Sequence, residues 1–222
     1  MGTLYLVRHG QASFGADDYD LLSELGQRQC QQLGHYFRER GLVFEAGLVG
    51  SLRRQAQSLA AIVGALGASV PTTVWPGLNE YDSLAVIRSV HPEPLAKPET
   101  AEQVRHHFRL LREGLARWMA GETAPQGMPS YRDFVAGVAG ALDHVRQQHT
   151  GDVLLVSSGG PIATAVGQVL GTPATTTIEL NLRIRNSSVT EFAYTPKRHM
   201  LISYNGIPHL DHAERRDWVS YT

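Results

Sequence analysis

The residues of this chain that could do chemistry begin where an apolar run stops, at Arg8-His9-Gly10-Gln11 after Leu4-Tyr5-Leu6-Val7. A neutral imidazole can attack phosphorus, a guanidinium can fork onto the oxygens of a phosphoryl group, and Gly10 lets the backbone come close to it. A second basic cluster, Arg53-Arg54 with Gln57, falls in the first turn of a helical pattern. Helix N-termini gather unsatisfied N–H groups and partial positive charge, so a guanidinium there can join them around an anion. Carboxylates follow in the loop Leu78-Asn79-Glu80-Tyr81-Asp82, and a hydroxyl with two glycines in Ser158-Gly159-Gly160.

Such groups need a scaffold, and the pattern supplies strand-to-helix junctions. Leu4 to Val7, bounded by glycine, reads as a strand inside a sheet, and in open α/β sheets ligands gather beyond the carboxyl ends of the strands. After a polar loop from Phe14 to Asp20, Ser23 N-caps a helix that turns Leu25, Cys30, Leu33 and Phe37 to the sheet and ends at Gly41. A second strand covers Ala46 to Gly50, and the helix after Ser51 keeps Leu52, Ala56, Leu59, Ala60, Val63 and Leu66 on a 3.6-residue period. Thr72 to Trp75 makes a third strand, broken by Pro76-Gly77. From Ser83 to His149 the texture is helical, with stripes at Val104, Phe108, Leu111, Leu115, Met119 and at Phe134, Val138, Leu142, Val145.

The best strand, Val153 to Val156, runs through Ser157-Ser158-Gly159-Gly160 into a helix with Pro161 in its first position, Ile162, Val166, Val169 and Leu170 on its buried face, and Gly171 at its end. His9 and Ser158 therefore sit on two strand ends that could line one pocket. The alternation from Asn181 to Tyr194 reads as one or two antiparallel edge strands, Met200 to Tyr204 pairs with them, and 205–222 is a tail lying across the body. The pattern is an α/β protein: a three-layer α/β/α sandwich with a mostly parallel central sheet, one domain over 1–222, and a helical insert at roughly 83–150.

Length and composition agree with that class. A chain of 222 residues, 42% hydrophobic, can bury one sizeable core, which argues against disorder. Twenty basic residues against 21 acidic ones, neither in a long block, show no nucleic-acid footprint and no polybasic membrane patch. No run approaches a membrane span, and the N-terminus enters a strand without the apolar core of a signal peptide, so a cytoplasmic protein is expected. Cys30 is the single cysteine, reading as a buried thiol in a helix. Among the histidines, His106 and His107 face different sides of a helix and His209 and His212 lack further ligands nearby, so no metal site is expected.

The run from Leu4 to Gln11 resembles the opening motif of the histidine phosphatase superfamily, which contains the phosphoglycerate mutases and related phosphatases, and the resemblance extends across most of the chain. Arg54-Gln55-Ala56-Gln57-Ser58 is similar to the family's Arg-Ala-x-Gln-Thr segment, which selects Arg54 over Arg53 as the second phosphate ligand. Leu78-x-Glu80 resembles the loop that bears the family's general acid, so the resemblance assigns that role to Glu80, with Asp82 the runner-up. One departure is chemical. Where the family has Ser-His-Gly-Gly, this chain has Ser157-Ser158-Gly159-Gly160, so a neutral hydroxyl replaces an imidazole that would bind the phosphate. Ala12 stands where threonine or serine is common and Gly15 where many members have asparagine, and both move the chain away from the mutases.

The resemblance implies a phosphatase for a small phosphorylated substrate. His9 attacks, Glu80 protonates the leaving oxygen, Arg8 and Arg54 hold the phosphoryl oxygens with Ser158 and Gly159, and water cleaves the phosphohistidine, with no metal or organic cofactor. Loss of one polar donor reduces such a reaction by about a hundred- to a thousandfold, so activity is expected to be reduced rather than abolished. The alternative is a catalytically weak or inactive protein that binds a phosphorylated ligand on the same scaffold; mutase-like phosphotransfer is third. In the family the helical insert roofs the pocket and sets substrate choice. The sequence is compatible with a homo-oligomer and carries no feature that decides it.

Overall fold

A computed structural model describes residues 1–13, 20–96 and 99–221 of the chain. Gly15 and the rest of the polar loop before Asp20 lie outside the described residues. Strand β1 (Gly2–Arg8) is central, parallel to β4 (Asp152–Ser157) on one side and antiparallel to β5 (Val189–Thr195) on the other. With β2 (Phe44–Val49), β3 (Thr72–Val74) and β6 (Arg198–Gly206), the order is β3-β2-β4-β1-β5-β6. Pairings are parallel from β3 through β1, and antiparallel from β1 through β6. Register matters most for function: Val7 and Val49 both lie opposite Val156, and Arg8 opposite Ser157. The strands β1, β2 and β4 therefore end together, and the turns after them meet at one edge.

Helices cover both faces. The side-chain period of two sends Val7, Val49, Leu154 and Val156 to one face, where α1 (Glu24–Glu39) and α2 (Arg53–Leu66) pack Cys30, Leu33, Phe37, Ile62 and Leu66 on them. The alternate residues Leu4, Leu6, Val153 and Leu155 meet α4 (Ala101–Met119), α5 (Tyr131–Gln148) and α6 (Gly159–Leu170) through Leu115, Trp118, Val138, Val145, Ile162 and Val166. A short α3 (Ser83–Arg88) precedes α4, and α7 (Ala174–Leu182) follows α6. This is the expected three-layer α/β architecture with a mixed sheet. Cys30 is fully buried, as its helical setting suggested. Among the described residues no helix is long and apolar enough to cross a membrane.

Several sequence readings need correction. On α2 the buried face is Arg54, Gln55, Ser58, Leu59, Ile62 and Leu66, while Ala56 and Ala60 are exposed, because the helix turns its polar first-turn residues inward to the site. At the end of α6, Leu170 is 54% exposed. The second strand starts at Phe44 rather than Ala46. In α4 the buried residues begin at Leu110, while Val104 and Phe108 are 38% and 40% exposed, because the first turns of the helix run past the core that its second half covers. Pro161 is the third residue of α6, so Gly159 and Gly160 supply the first-turn N–H groups. Of the alternation seen from Asn181, Asn181 and Leu182 close α7, 183–188 form turns, and β5 begins only at Val189, inside the sheet with β6 as the edge. The run of three threonines and an isoleucine in α7 favours a strand, yet Pro173 starts a helix and the burial of Thr177 and Ile178 holds it.

Candidate active site

His9 leaves β1 at the shared edge, almost fully buried, with its backbone N–H on the Ser157 carbonyl at 2.9 Å. Its Nδ1 is 2.7 Å from the Gly10 carbonyl oxygen. A carbonyl only accepts, so Nδ1 carries the proton and Nε2 presents a lone pair. Arg54 Nε donates to that lone pair at 3.2 Å. Burial first, and then the charges of Arg8 and Arg54, hold the imidazole pKa well below its usual value, which keeps the ring neutral near pH 7. The turn is braced by α2: Gly10 N–H donates to Ser58 Oγ at 3.1 Å, and Ser58 Oγ donates to the Arg54 carbonyl at 2.7 Å. Gly10 is obligatory, since a Cβ there would collide with the Gly26 carbonyl of α1.

The two arginines arrive from different elements. Arg8 Nη1 donates to the carbonyls of Ile184 at 2.6 Å and Tyr221 at 3.1 Å, so the C-terminal tail helps to hold it. Arg54 is buried on the inner face of α2 while Arg53 is exposed, the arrangement the motif selected. Asp20 takes the end of α2. Its carboxylate accepts from Arg54 Nη1 at 2.7 Å and from the backbone N–H groups of Arg53 at 2.8 Å and Arg54 at 3.4 Å. The N-cap residue Leu52 has no side chain to offer, so an internal anion occupies the helix terminus that the sequence marked as an anion site.

Glu80 reaches the site from the loop after β3. Both its oxygens lie 3.1 Å from Gly160 N, and Oε1 also accepts from Tyr81 N at 3.2 Å. Desolvation raises its pKa, against the pull of the Gly160 N–H and of Arg54 and Arg8. A Cβ on Gly160 would strike Glu80 Oε1, so only glycine admits the carboxyl here. The loop is pinned by Tyr81, whose hydroxyl accepts from Asn181 Nδ2 at 2.8 Å and whose ring lies 6.0 Å from that of Trp118. Asp82 is otherwise engaged: it N-caps α3, accepting from Leu84 N and Ala85 N at 2.9 and 3.0 Å.

Ser158 is fully buried at the head of α6, next to Gly159, which is buried as its first residue. Its Oγ accepts from Gln55 Nε2 at 2.8 Å, and the same nitrogen donates to the Leu78 carbonyl at 3.0 Å. His209, a buried imidazole in the tail, does not stand in for the missing one. Its Nε2 lies 2.9 Å from Ser187 Oγ, and it meets His9 only through the Ser187 N–H on the His9 carbonyl at 3.1 Å. His9, Arg8, Arg54, Glu80, Ser158 and Gly159 thus converge on one strand edge. Among the described residues no group of three or more potential metal-ligating side chains lies together.

Sequence reasoning missed Gln55, Asp20 and Asn186, whose Nδ2 donates to the His9 carbonyl at 3.3 Å. For Gln55 a signal existed: it shares a helical face with Leu59, Ile62 and Leu66, and an amide in a buried stripe implies a polar partner inside. Asp20 and Asn186 meet the site only through the fold.

A neutral buried imidazole, two guanidinium groups and a carboxyl at a glycine-rich helix start describe a class of phosphoryl-handling site. The sequence model of the histidine phosphatase superfamily, branch 1, matches residues 4–206, and the chain belongs to that superfamily. Over 87 residues it is 38% identical to a 2,3-bisphosphoglycerate-dependent phosphoglycerate mutase of Beijerinckia indica, covering 36% of this chain and 42% of the relative. Over 85 residues it is 32% identical to a broad-specificity phosphatase of Saccharomyces cerevisiae, covering 35% and 36%. The chain therefore spans less than half the length of the curated relatives it matches. A phosphoserine phosphatase of Entamoeba histolytica shares the fold, with a TM-score of 0.65 at 19% identity over 95% of this chain and 100% of that one.

Proposed function

We propose that the protein hydrolyses a phosphomonoester through a phosphohistidine on His9, and the observation that carries this is the lone pair on buried, neutral His9 Nε2 with Arg54 against it. Nε2 attacks phosphorus as the ester P–O bond breaks, and Glu80 gives its proton to the departing oxygen. Water then attacks the phosphohistidine while the Glu80 carboxylate accepts its proton, which releases inorganic phosphate and restores both groups. Arg8 and Arg54 hold the phosphoryl oxygens throughout, with the Ser158 hydroxyl and the Gly159 N–H beside them, so catalysis rests on position and charge. Arg54 Nε moves from the lone pair to a phosphoryl oxygen as substrate enters.

The helices α3 to α5, inserted between β3 and β4 in a single domain, roof this centre. One edge of the roof supports an acidic substrate. Arg105, Phe108, Arg112, Leu182, Arg183 and Tyr221 enclose a cleft of about 480 Å³, and Tyr221 and Ile184, the neighbour of Arg183, supply the carbonyls that hold Arg8. A phosphomonoester with a second anionic group and some apolar surface fits that lining. The test is chemical: incubation with a small phosphomonoester should label His9 with phosphate that survives base and decays in acid. A label that is acid-stable, or that persists in His9→Ala, overturns the assignment.

One observation favours a second reading, a slow or inactive protein that binds a phosphorylated ligand. Ser158 adds no charge and Asp20 already holds Arg54, so the seat for an anion is less positive than the motif alone implies. Phosphate binding without release of alcohol from any ester would establish it.

A further inference from the structure

Ser158 and Gln55 are both fully buried, and each has an unusual hydrogen-bonding position. A serine at a helix N-cap ordinarily accepts from the second or third N–H of the helix. Here the third residue is Pro161, which has no N–H, and the N–H of the second, Gly160, goes to Glu80. The Ser158 hydroxyl makes no capping bond and accepts instead from the Gln55 amide. The orientation of that amide is set by the Leu78 carbonyl, because the flipped form would press two oxygens together. With a lone pair of Ser158 committed to Gln55, the hydroxyl proton is left to donate, one residue beyond the Ser157 carbonyl that takes the His9 N–H.

We infer that Gln55 is a positioning residue that turns Ser158 into a neutral hydrogen-bond donor to the bound phosphoryl group, the two together filling the room of one imidazole. The inference rests on the phosphohistidine reading above. Size supports it: Gln55 stands where the quoted family segment has alanine and Ser158 where it has histidine, so one side chain is larger and its contact partner smaller. Two facing changes of opposite sign conserve volume in a buried site, whereas either alone would clash or leave a void. The pair differs from an imidazole in one measurable respect, since neither group titrates near neutral pH and its grip on an oxyanion does not depend on a proton.

Orthovanadate binding to the full chain tests this. Ser158→Ala, which removes only the hydroxyl, should weaken binding about tenfold or more. Gln55→Met keeps the volume and loses the amide donor, and it should weaken binding to a similar degree. The double variant should be no worse than either, because both act through one hydrogen bond. Ser158→His alone should bind poorly against Gln55, while Gln55→Ala/Ser158→His should recover binding and acquire a pH dependence near the imidazole reference of about 6.5. Thermal melts identify unfolded variants, and Ser158→Ala carries the test if the larger changes fail to fold. Wild-type affinity in folded Gln55→Met or Ser158→Ala overturns the inference, as does equal binding by Ser158→His and the paired variant. If the wild-type chain itself binds no vanadate, the phosphohistidine reading and this inference fall together.

Discussion

His9 and Glu80 must be in opposite protonation states for the first step, and their surroundings set them so. Burial and two guanidinium groups depress the imidazole pKa, so its loss by protonation is displaced to acid pH. Desolvation raises that of Glu80, so its proton is lost at a pH above the ordinary carboxyl value. The expected kcat/KM profile is a bell whose acid limb belongs to His9 and whose alkaline limb belongs to Glu80. In Glu80→Gln that limb should vanish. With alkyl phosphates the rate should fall by about a hundredfold or more, and with aryl phosphates, whose leaving oxygen needs no proton, much less. An equal loss on both substrate types would remove Glu80 from the acid role. Arg54→Ala should weaken phosphate binding and turnover together, whereas the exposed Arg53→Ala should change either by less than about twofold.

At the scale of the element, α2 has a polar end and an apolar body, and the polar end is completed from outside. Asp20 caps it in place of Leu52. Replacing Asp20 by asparagine keeps an oxygen for the N–H groups but removes the charge from Arg54. Stability should then fall by about 1 kcal/mol or less, while phosphate affinity rises because one competing charge is removed from the guanidinium and the helix terminus. Calorimetric titration with inorganic phosphate reads the second effect, and weaker binding in Asp20→Asn would show that the carboxylate positions Arg54 rather than competes for it. The start of α6 is governed by space: Gly160→Ala should displace Glu80 and abolish turnover while leaving the sheet intact by circular dichroism.

For the whole molecule, the tail after β6 couples stability to pH. His209 is buried, and desolvation first, with Arg215 adding to it, lowers its pKa to about 3. The unfolded chain has this imidazole near its reference of about 6.5, so between those values the unfolded state binds more protons. Stability contributed at neutral pH is therefore lost as pH falls below about 6.5, by up to about 1.4 kcal/mol per pH unit from this group. Melting temperatures at pH 7 and pH 5 should differ less in His209→Gln than in the parent chain; an unchanged difference would assign the acid sensitivity elsewhere. In the cleft that the tail shares through Tyr221, Arg105→Glu and Arg183→Glu should raise KM for phosphorylated carboxylates and leave that for an aryl phosphomonoester without a second anionic group nearly unchanged.

Local chemistry and periodicity carry the α/β class and the strand-helix junctions in the amino-acid order, and the resemblance to the histidine phosphatases picks out the residues of the proposed site. Apolar runs of strand length ending in Arg8-His9-Gly10 and Ser158-Gly159-Gly160 need no partner to be recognised, and a carboxyl beside Tyr81 stands out by motif. What the chain order could not show are groups that meet across long separations. Asp20 on the start of α2, Gln55 on Ser158, and the Tyr221 and Ile184 carbonyls on Arg8 exist only because β1, β2 and β4 end in register. Tertiary burial also made a helix of the β-branched run before Leu182 and exposed half of the α4 stripe. Propensity and spacing act over a few residues, whereas hydrogen-bond satisfaction and burial are decided by neighbours that only the folded chain supplies.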